Sequence, residues 1–102
     1  MKIITICGSL KFQKEMMELS EKLEFKGFCV LSPVYPIRNI DDYSKDEIMI
    51  LNKAHKEKIK ISDAILVLDI GGRIGSSTRG EIEFARALNK KILYYSDLNL
   101  KV

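Results

Sequence analysis

Ala64-Ile65-Leu66-Val67-Leu68-Asp69 is the stretch that decides the fold of this chain. Successive apolar side chains lack the alternation of a strand with one face in water, so the run predicts a central parallel strand covered on both faces. A glycine-rich turn over 70–75 (IGGRIG) follows it, and a helical pattern begins at about Ser77. Strand, turn and helix in this order predict an α/β protein with a parallel sheet.

Three further apolar runs predict three more strands. Two of them precede the central run, over 2–7 (KIITIC) and 28–32 (FCVLS), and the third follows it, over 91–95 (KILYY). Each interval between consecutive runs has helical periodicity. The predicted helices carry Phe12, Met16, Leu19 and Leu23; a Ser44-x-x-Glu47 capping box with Ile48, Leu51, His55 and Ile59; and a segment from about Ser77 to Asn89.

Four strands alternating with three helices predict a single α/β domain over residues 1–102. We expect a doubly wound parallel sheet of order 2-1-3-4, as in flavodoxin-like and Rossmann-like folds, with right-handed crossovers. Ligands of such sheets bind at the carboxyl ends of the strands where the strand order reverses. The candidate binding loops are therefore 8–11 (GSLK) after strand 1 and 69–75 (DIGGRIG) after strand 3.

Composition excludes several classes of function. The chain is 46% hydrophobic and 30% charged, as ordinary globular proteins are. Its net charge of +3 comes from lysines interspersed with glutamates, without the basic block of a nucleic-acid-binding protein. No apolar run approaches the roughly 20 residues of a membrane span, and the first residues lack the features of a signal peptide. We therefore expect a cytoplasmic protein that binds neither nucleic acid nor membrane.

The two cysteines, Cys7 and Cys29, lie in apolar, strand-like runs. We interpret them as buried thiols in a reducing compartment, rather than as a disulfide or metal ligands. The single histidine, His55, falls on the apolar face of the second helix and is interpreted as a hydrogen-bonded core residue. Neither GxGxxG nor GxxxxGK[ST] occurs, and the cysteines and histidine lack zinc-ligand spacing, so we expect no metal and no cofactor.

The loop after strand 1 is suited to an anion. Gly8 lets a ligand approach the backbone, Ser9 and the amides of the following helix start offer hydrogen bonds, and Lys11 adds positive charge. The alternative is local: Ser9 caps the helix and Gly8 eases the turn.

The loop after strand 3 has the stronger signal. It is followed at once by hydroxyl side chains at a helix N-terminus, which together with unpaired amides make a phosphate cradle. The alternative is helix capping and a flexible turn. The residues concerned are Gly71, Gly72 and Gly75, which surround Arg73, and then Ser76, Ser77 and Thr78.

Glu81 lies in the middle of an apolar helical stripe that includes Phe84 and Ala85, whereas Glu83 falls on the opposite face. A carboxylate on a buried face must cap, pair or catalyse. Thr78-x-x-Glu81 matches a capping box, so capping and catalysis both stay open at this point.

Two aspartates flank the central strand. Asp63 precedes it, either as a turn residue or as a ligand contact, and Asp69 ends it at the predicted pocket. The loop over 33–43 (PVYPIRNIDDY) is long and irregular, and its tyrosines and arginine are candidates to cover a ligand or stack on a base.

Three motifs together give the chain a family resemblance. They are Cys7-Gly8-Ser9-Leu10-Lys11, similar to the Cys-Gly-Ser-Ile-Arg of one branch; Ser62-Asp63 before strand 3; and Gly80-Glu81-Ile82-x-x-Ala85 followed by Lys91-Ile92-Leu93. Over about residues 3–95 the chain resembles the nucleoside 2-deoxyribosyltransferase superfamily, including its 2′-deoxynucleoside 5′-phosphate N-hydrolase branch.

The resemblance implies a function and site residues. Glu81 matches the family nucleophile, which attacks C1′ of a 2-deoxyribosyl group and gives a covalent glycosyl-enzyme. Asp63 matches an aspartate that helps to place the substrate, and Gly8 and Ser9 match the turn that touches the phosphate. The implied partner is a nucleoside or nucleotide, with hydrolysis of a monophosphate favoured over base exchange. The alternative is a nucleotide-binding module without catalysis; a flavodoxin-type FMN carrier is disfavoured, because the first loop has too few hydroxyls.

The chain also departs from the family pattern. Gly75 stands where transferases carry a carboxylate, so the acid that assists base departure is unassigned, with Asp69 a candidate. Ile6 matches a tyrosine that orients the nucleophile. From the resemblance we expect the C-terminal segment that completes a neighbouring subunit's site to be nearly absent, since the sequence ends at Val102. Because relatives complete their sites across subunits, and a small core gains from added burial, we expect a symmetric homodimer.

Overall fold

The structure is a computed structural model that describes residues 2–98. The strands are β1 (Ile3–Cys7), β2 (Cys29–Leu31), β3 (Ala64–Val67) and β4 (Lys91–Tyr94), and the α-helices are α1 (Gln13–Phe25), α2 (Lys45–Ile61) and α3 (Ser76–Ala87). Within the described residues the four strands form one parallel sheet in the order β2-β1-β3-β4. The predicted fold class and strand order are thereby confirmed. Residues 99–102, on which the prediction about the C-terminal segment falls, lie outside the described residues.

Alternation along the strands divides the core into two layers. Ile4 and Ile6 of β1 pack with Met16 and Leu19 of α1, on one face of the sheet. The next side chain along, Cys7, belongs to the cluster on the other face, which α2 and α3 cover. Both layers continue into β3, whose side chains are all buried, as the apolar run over 64–68 predicts.

Helix ends follow local signals. The capping box at the start of α2 is present, since Glu47 N donates to Ser44 Oγ at 3.1 Å and Ser44 N donates to Glu47 Oε1 at 2.9 Å. Helix α1 ends before Gly27, whose φ of 99° suits a glycine. A 3₁₀ turn over Leu10–Phe12 precedes α1. None of the helices among the described residues is long and apolar enough to cross a membrane.

Candidate active site

Three chemically active side chains converge behind the carboxyl end of β1. Glu81 Oε1 lies 3.7 Å from His55 Nε2, and their side chains are only 18% and 8% exposed. Cys7 Sγ lies 3.5 Å from the same nitrogen. The ligand atoms of all three lie within 4.8 Å of one another, and we refer to them as the Cys7–His55–Glu81 cluster. It joins β1, α2 and α3, which are distant along the chain.

Burial sets the protonation of this cluster. It raises the pKa of Glu81 from 4.5 to about 6, although the Cys7 thiol and the charge of Lys56 oppose this shift. It lowers the pKa of His55 from 6.5 to about 4, with help from the charge of Lys58. Burial, and then the neighbouring Glu81, raise the pKa of Cys7 well above its usual value. At neutral pH the cluster is therefore a thiol, a neutral imidazole and a carboxylate.

The capping alternative for Glu81 is wrong. The N-cap of α3 is Gly75, and Thr78 is a buried residue within the first turn of the helix. A capping box requires its first residue to lie outside the helix, in an extended conformation, and Thr78 does not. The Glu81 carboxylate instead lies beside His55 and Cys7. Pairing and catalysis are the readings that remain.

Glu81 lines a cavity of about 180 Å³ between the end of the sheet, α2 and the loop after β2. The walls are largely apolar, and the polar side chains on them are few. The lining residues are Gly8, Leu10, Pro33, Val34, Pro36, Ile40, Tyr43, Ile48, Leu51, Asn52, His55, Ser77 and Glu81. An apolar chamber with a few convergent polar groups is the usual form of a small-molecule site.

A second depression, the hydroxyl cleft, adjoins this cavity and shares Gly8, Leu10 and Ser77 with it. Its complete lining is Gly8, Ser9, Leu10, Gly75, Ser76, Ser77 and Thr78. The cap residue of α3 makes no side-chain hydrogen bond to the helix start, so no cap side chain competes for the first amides of α3. The structure thus brings the two predicted loops together beside Glu81.

Ser9 caps the turn after β1, as one of its two readings predicts, and its contact with an anion stays a prediction. Its Oγ accepts a long 3.4 Å hydrogen bond from Lys11 N, so Ser9 caps the 3₁₀ turn, and it also lines the hydroxyl cleft. Lys11 and Gly72 lie elsewhere, in a neighbouring groove with Arg73 and Arg79. That groove meets the hydroxyl cleft at Ser9, Gly75 and Thr78.

The structure does not bring Asp63 or Asp69 to the cavity. Asp63 lies at the amino end of β3, the edge opposite the cavity, and its Oδ2 accepts from Ile3 N at 2.8 Å. Asp69 is at the correct edge, but its two oxygens accept hydrogen bonds from Ser96 N and Ser96 Oγ. It therefore ties the segment after β4 to the end of β3. Gly71 lines neither the cavity nor the hydroxyl cleft.

Glycines in both loops have structural reasons independent of a ligand. A Cβ on Gly8 would lie 3.1 Å from Leu68 Cβ, closer than ordinary van der Waals contact, so a larger residue here requires Leu68 to shift by a few tenths of an ångström. Gly71 and Gly72 have φ values of 67° and 75°, which L residues adopt at a cost. The turns therefore favour glycine at these positions whether or not a ligand binds.

The loop over 33–43 forms the outer wall of the cavity. Tyr43 OH accepts from Ile37 N at 3.2 Å and from Arg38 N at 3.4 Å. The Arg38 guanidinium lies 4.1 Å from the Tyr43 ring centre and pairs with Glu47 at 3.2 Å. The loop is thus fastened to the start of α2. That it covers a ligand or stacks on a base stays a prediction.

No model of a protein family matches the chain, and neither does any curated protein sequence. Solved structures do match. The 2-deoxyribosyltransferase of the psychrotolerant Bacillus psychrosaccharolyticus has a TM-score of 0.71 at 18% identity, over 98% of this chain and 76% of that one. The 2-desoxiribosyltransferase of Leishmania mexicana has a TM-score of 0.66 at 19% identity, over 93% and 64%. The CMP N-glycosidase BcmB of Clostridium botulinum has a TM-score of 0.60 at 25% identity, over 91% and 67%.

The chain has the nucleoside 2-deoxyribosyltransferase-like fold. Its resemblance to this superfamily is thereby confirmed at the level of the fold. These neighbours are enzymes that form or break N-glycosidic bonds, and the chain spans 64% to 76% of their lengths.

Within this fold, sequence reasoning missed two residues of the candidate site. The side chain of Ile6, which the resemblance aligns with a tyrosine of the superfamily, packs beneath α1, on the face away from Glu81. The residue of β1 beside Glu81 is Cys7. His55 is buried, as its place on an apolar face predicts, but Nδ1 has no hydrogen-bond partner among the described residues and Nε2 lies beside Glu81. Strand alternation was the available signal for Cys7, while the position of His55 depends on how α2 packs.

Proposed function

We propose that the chain cleaves or transfers the N-glycosidic bond of a 2′-deoxynucleoside or its 5′-monophosphate, with Glu81 as nucleophile. The observation that carries this proposal is the position of the Glu81 carboxylate, which lines the apolar cavity beside the hydroxyl cleft. In a nucleotide, C1′ lies between the base and the 5′-phosphate. When the base occupies the cavity and the phosphate occupies the hydroxyl cleft, C1′ lies near Glu81.

The volume of the cavity supports this division. About 180 Å³ is less than the roughly 300–1,000 Å³ of sites that hold a whole drug-sized ligand. It suits one ring system, with largely apolar walls around it. The hydroxyl cleft supplies the polar groups that a sugar and phosphate need.

The reaction proceeds in two steps. The ionised Glu81 carboxylate attacks C1′ through an oxocarbenium-like transition state; the new O–C1′ bond forms as the N-glycosidic bond breaks and its electron pair leaves with the base. Water, or a second base, then displaces Glu81 from C1′ and loses a proton, the departed base takes up a proton, and the configuration at C1′ is retained. His55 has a pKa of about 4 and is neutral at pH 7, and it therefore does not offset the charge of the nucleophile.

Hydrolysis of a monophosphate is favoured over base exchange within this proposal. One structural neighbour, at 25% identity, is a CMP N-glycosidase, and CMP is a nucleoside monophosphate. The free helix start at Ser76 and Ser77 is suited to such a phosphate.

A nucleotide-binding module without catalysis is the second candidate, and one observation favours it. Glu81 is the only acidic side chain on the cavity wall among the described residues. Asp69, the candidate acid for base departure, is held by Ser96. A screen for nucleobase release across deoxynucleosides and their 5′-monophosphates separates the two candidates. Release from at least one substrate supports the enzyme, and binding without release supports the module.

A phosphate in the hydroxyl cleft predicts a difference in thermal stabilisation. Deoxynucleoside 5′-monophosphates are expected to raise the melting temperature more than the matching nucleosides do, because only the phosphate reaches the amides at the start of α3. Differential scanning fluorimetry measures both shifts. Equal shifts would remove the phosphate from the proposal.

A single substitution tests the place of that phosphate. Gly75→Asp has open space for its side chain and puts a carboxylate where the phosphate would lie. It is expected to stabilise the free protein by only a few tenths of a kcal/mol, because glycine is itself a tolerated N-cap, and to abolish the extra shift by monophosphates. The control, Lys26→Gln, makes the same change in net charge at the exposed end of α1. A full monophosphate shift in Gly75→Asp would contradict this placement.

We also propose a symmetric homodimer. The exposed Met49 and Ile50 on α2, 67% and 66% exposed, support an apolar surface available for association. Sedimentation velocity at tens of micromolar is expected to give twice the mass of one chain, and Ile50→Glu is expected to shift the population towards single chains. A single-chain species alone in the unaltered protein would contradict the dimer.

A further inference from the structure

We propose that the Cys7–His55–Glu81 cluster binds one thiophilic divalent metal ion, of which Zn²⁺ is the type. The cluster combines one thiol sulfur, one imidazole nitrogen and one carboxylate oxygen. Zinc takes all three kinds of ligand, while Mg²⁺ and Ca²⁺ require oxygen ligands throughout. The inference does not rest on the proposed function.

The distances in the cluster fit a tetrahedral ion. Zinc bonds of about 2.0–2.3 Å place neighbouring donor atoms roughly 3.3–3.7 Å apart. Cys7 Sγ and His55 Nε2 are 3.5 Å apart, and His55 Nε2 and Glu81 Oε1 are 3.7 Å apart. The remaining pair lies within 4.8 Å, so at most a small approach of the Glu81 carboxylate towards Cys7 Sγ is needed to close the site.

The packing around the cluster holds two of its donors in place. Cys7 is fully buried and His55 is 6% exposed, and Cys7 packs in the same core cluster as Ile59 and Ile82. Glu81 and His55 also line the cavity, so a fourth position around the ion is accessible to water or a small ligand. Three protein ligands with one open position are typical of reactive rather than structural zinc sites.

His55 limits the affinity of the cluster for a metal ion. Its Nδ1 is buried without a hydrogen-bond partner among the described residues. Metal-bound histidines usually donate a hydrogen bond from the second nitrogen, and loss of such a partner weakens metal binding by about 10–100-fold. We therefore expect a reversible site, weaker than structural zinc sites.

Metal binding and glycosyl transfer exclude each other, because both use the Glu81 carboxylate. When Zn²⁺ binds, the Cys7 S–H bond breaks, the sulfur electron pair forms the bond to zinc, and the proton leaves to solvent. Zinc is therefore expected to stabilise the folded protein while blocking Glu81.

The test measures metal binding and needs no activity. Chelator-treated, reduced protein is titrated with Co²⁺ and with Zn²⁺, and the thiolate-to-cobalt absorption band, the calorimetric stoichiometry and the melting temperature are recorded. We expect one equivalent bound, a cobalt–thiolate band, a higher melting temperature with Zn²⁺, and no change with Mg²⁺. Absence of the band or of saturable binding would overturn the proposal.

Matched variants assign the ligands. Cys7→Ser should lose the cobalt–thiolate band. It should also weaken zinc binding by a larger factor than the about 10–100-fold that follows when a metal ligand loses its hydrogen-bond partner. Cys29→Ser, the control at the other cysteine, should leave both unchanged. His55→Gln keeps the thiol but loses the imidazole, and serves if Cys7→Ser fails to fold. Undiminished zinc binding in a folded Cys7→Ser or His55→Gln protein would reject the site.

Discussion

Glu81→Gln is expected to abolish base release while leaving the protein folded. An amide is close in shape to a carboxylate, but it is not a nucleophile towards C1′, so the covalent intermediate cannot form. We expect kcat/KM to fall by at least about 10³-fold, which corresponds to about 4 kcal/mol of lost transition-state stabilisation. Chromatographic measurement of the released base, with chelator present, gives this value directly.

Glu83→Gln is the matched control for this substitution. Glu83 lies on the same helix, two residues after Glu81, and is exposed. Its replacement by Gln changes the net charge by the same amount as Glu81→Gln does. Its activity and stability are expected to stay unchanged. Full base release by the Glu81→Gln protein would end the assignment of Glu81 as nucleophile.

The Glu81→Gln protein is also expected to be more stable than the unaltered protein at neutral pH. Burial raises the pKa of Glu81 from 4.5 to about 6, so the folded state takes up its proton more readily than the unfolded state does. Ionisation of Glu81 therefore lowers the free energy of unfolding as the pH rises from 4.5 to 6. At 1.36 kcal/mol per pKa unit the cost above pH 6 is at most about 2 kcal/mol. Urea unfolding should show this gain for Glu81→Gln at pH 7 and lose it below pH 4.5.

The second large effect is the pH dependence of activity. Since only the ionised carboxylate attacks, kcat/KM is expected to fall about tenfold per pH unit below a pKa of about 6, and to be about 100-fold below its plateau at pH 4. A glutamate in water would give the same fall in kcat/KM, the acid limb of the pH profile, near pH 4.5. His55 adds nothing between these values, because its pKa is about 4. An acid limb near 4.5, or none, would contradict the buried nucleophile.

Lys56 makes the pH prediction specific to Glu81. The charge of Lys56 lowers the pKa of Glu81, so Lys56→Gln is expected to move the acid limb to higher pH. Lys53→Gln removes the same charge three residues earlier on α2, and it is expected to leave the acid limb of the pH profile unchanged. Circular dichroism at each pH distinguishes titration from unfolding, since protonation of the buried His55 favours the unfolded state as the pH falls below 6.5.

The sequence by itself determined the elements of this fold and their order. The apolar run from Ala64, the capping box at Ser44 and Glu47, and the stop signal at Gly27 all act within a few residues, and each is present in the structure. Alternating strands and helices then predict a parallel sheet, because right-handed crossovers allow few arrangements. That topology brings the loops around Gly8 and Gly75 to one edge, where the structure has them.

Only the tertiary structure decided which side chains meet at that edge. Cys7 and His55 are 48 residues apart, and their contact depends on the face of the sheet that α2 covers. The Asp63 carboxylate accepts a hydrogen bond from the amide of Ile3, and the Asp69 carboxylate accepts one from Ser96. No local sequence pattern indicates either contact. Local signals reach about one helical turn, whereas burial, paired donors and raised pKa values arise where distant segments pack together. The neighbours of Glu81 on its own helix therefore predicted its buried face, but not its contacts with Cys7 and His55.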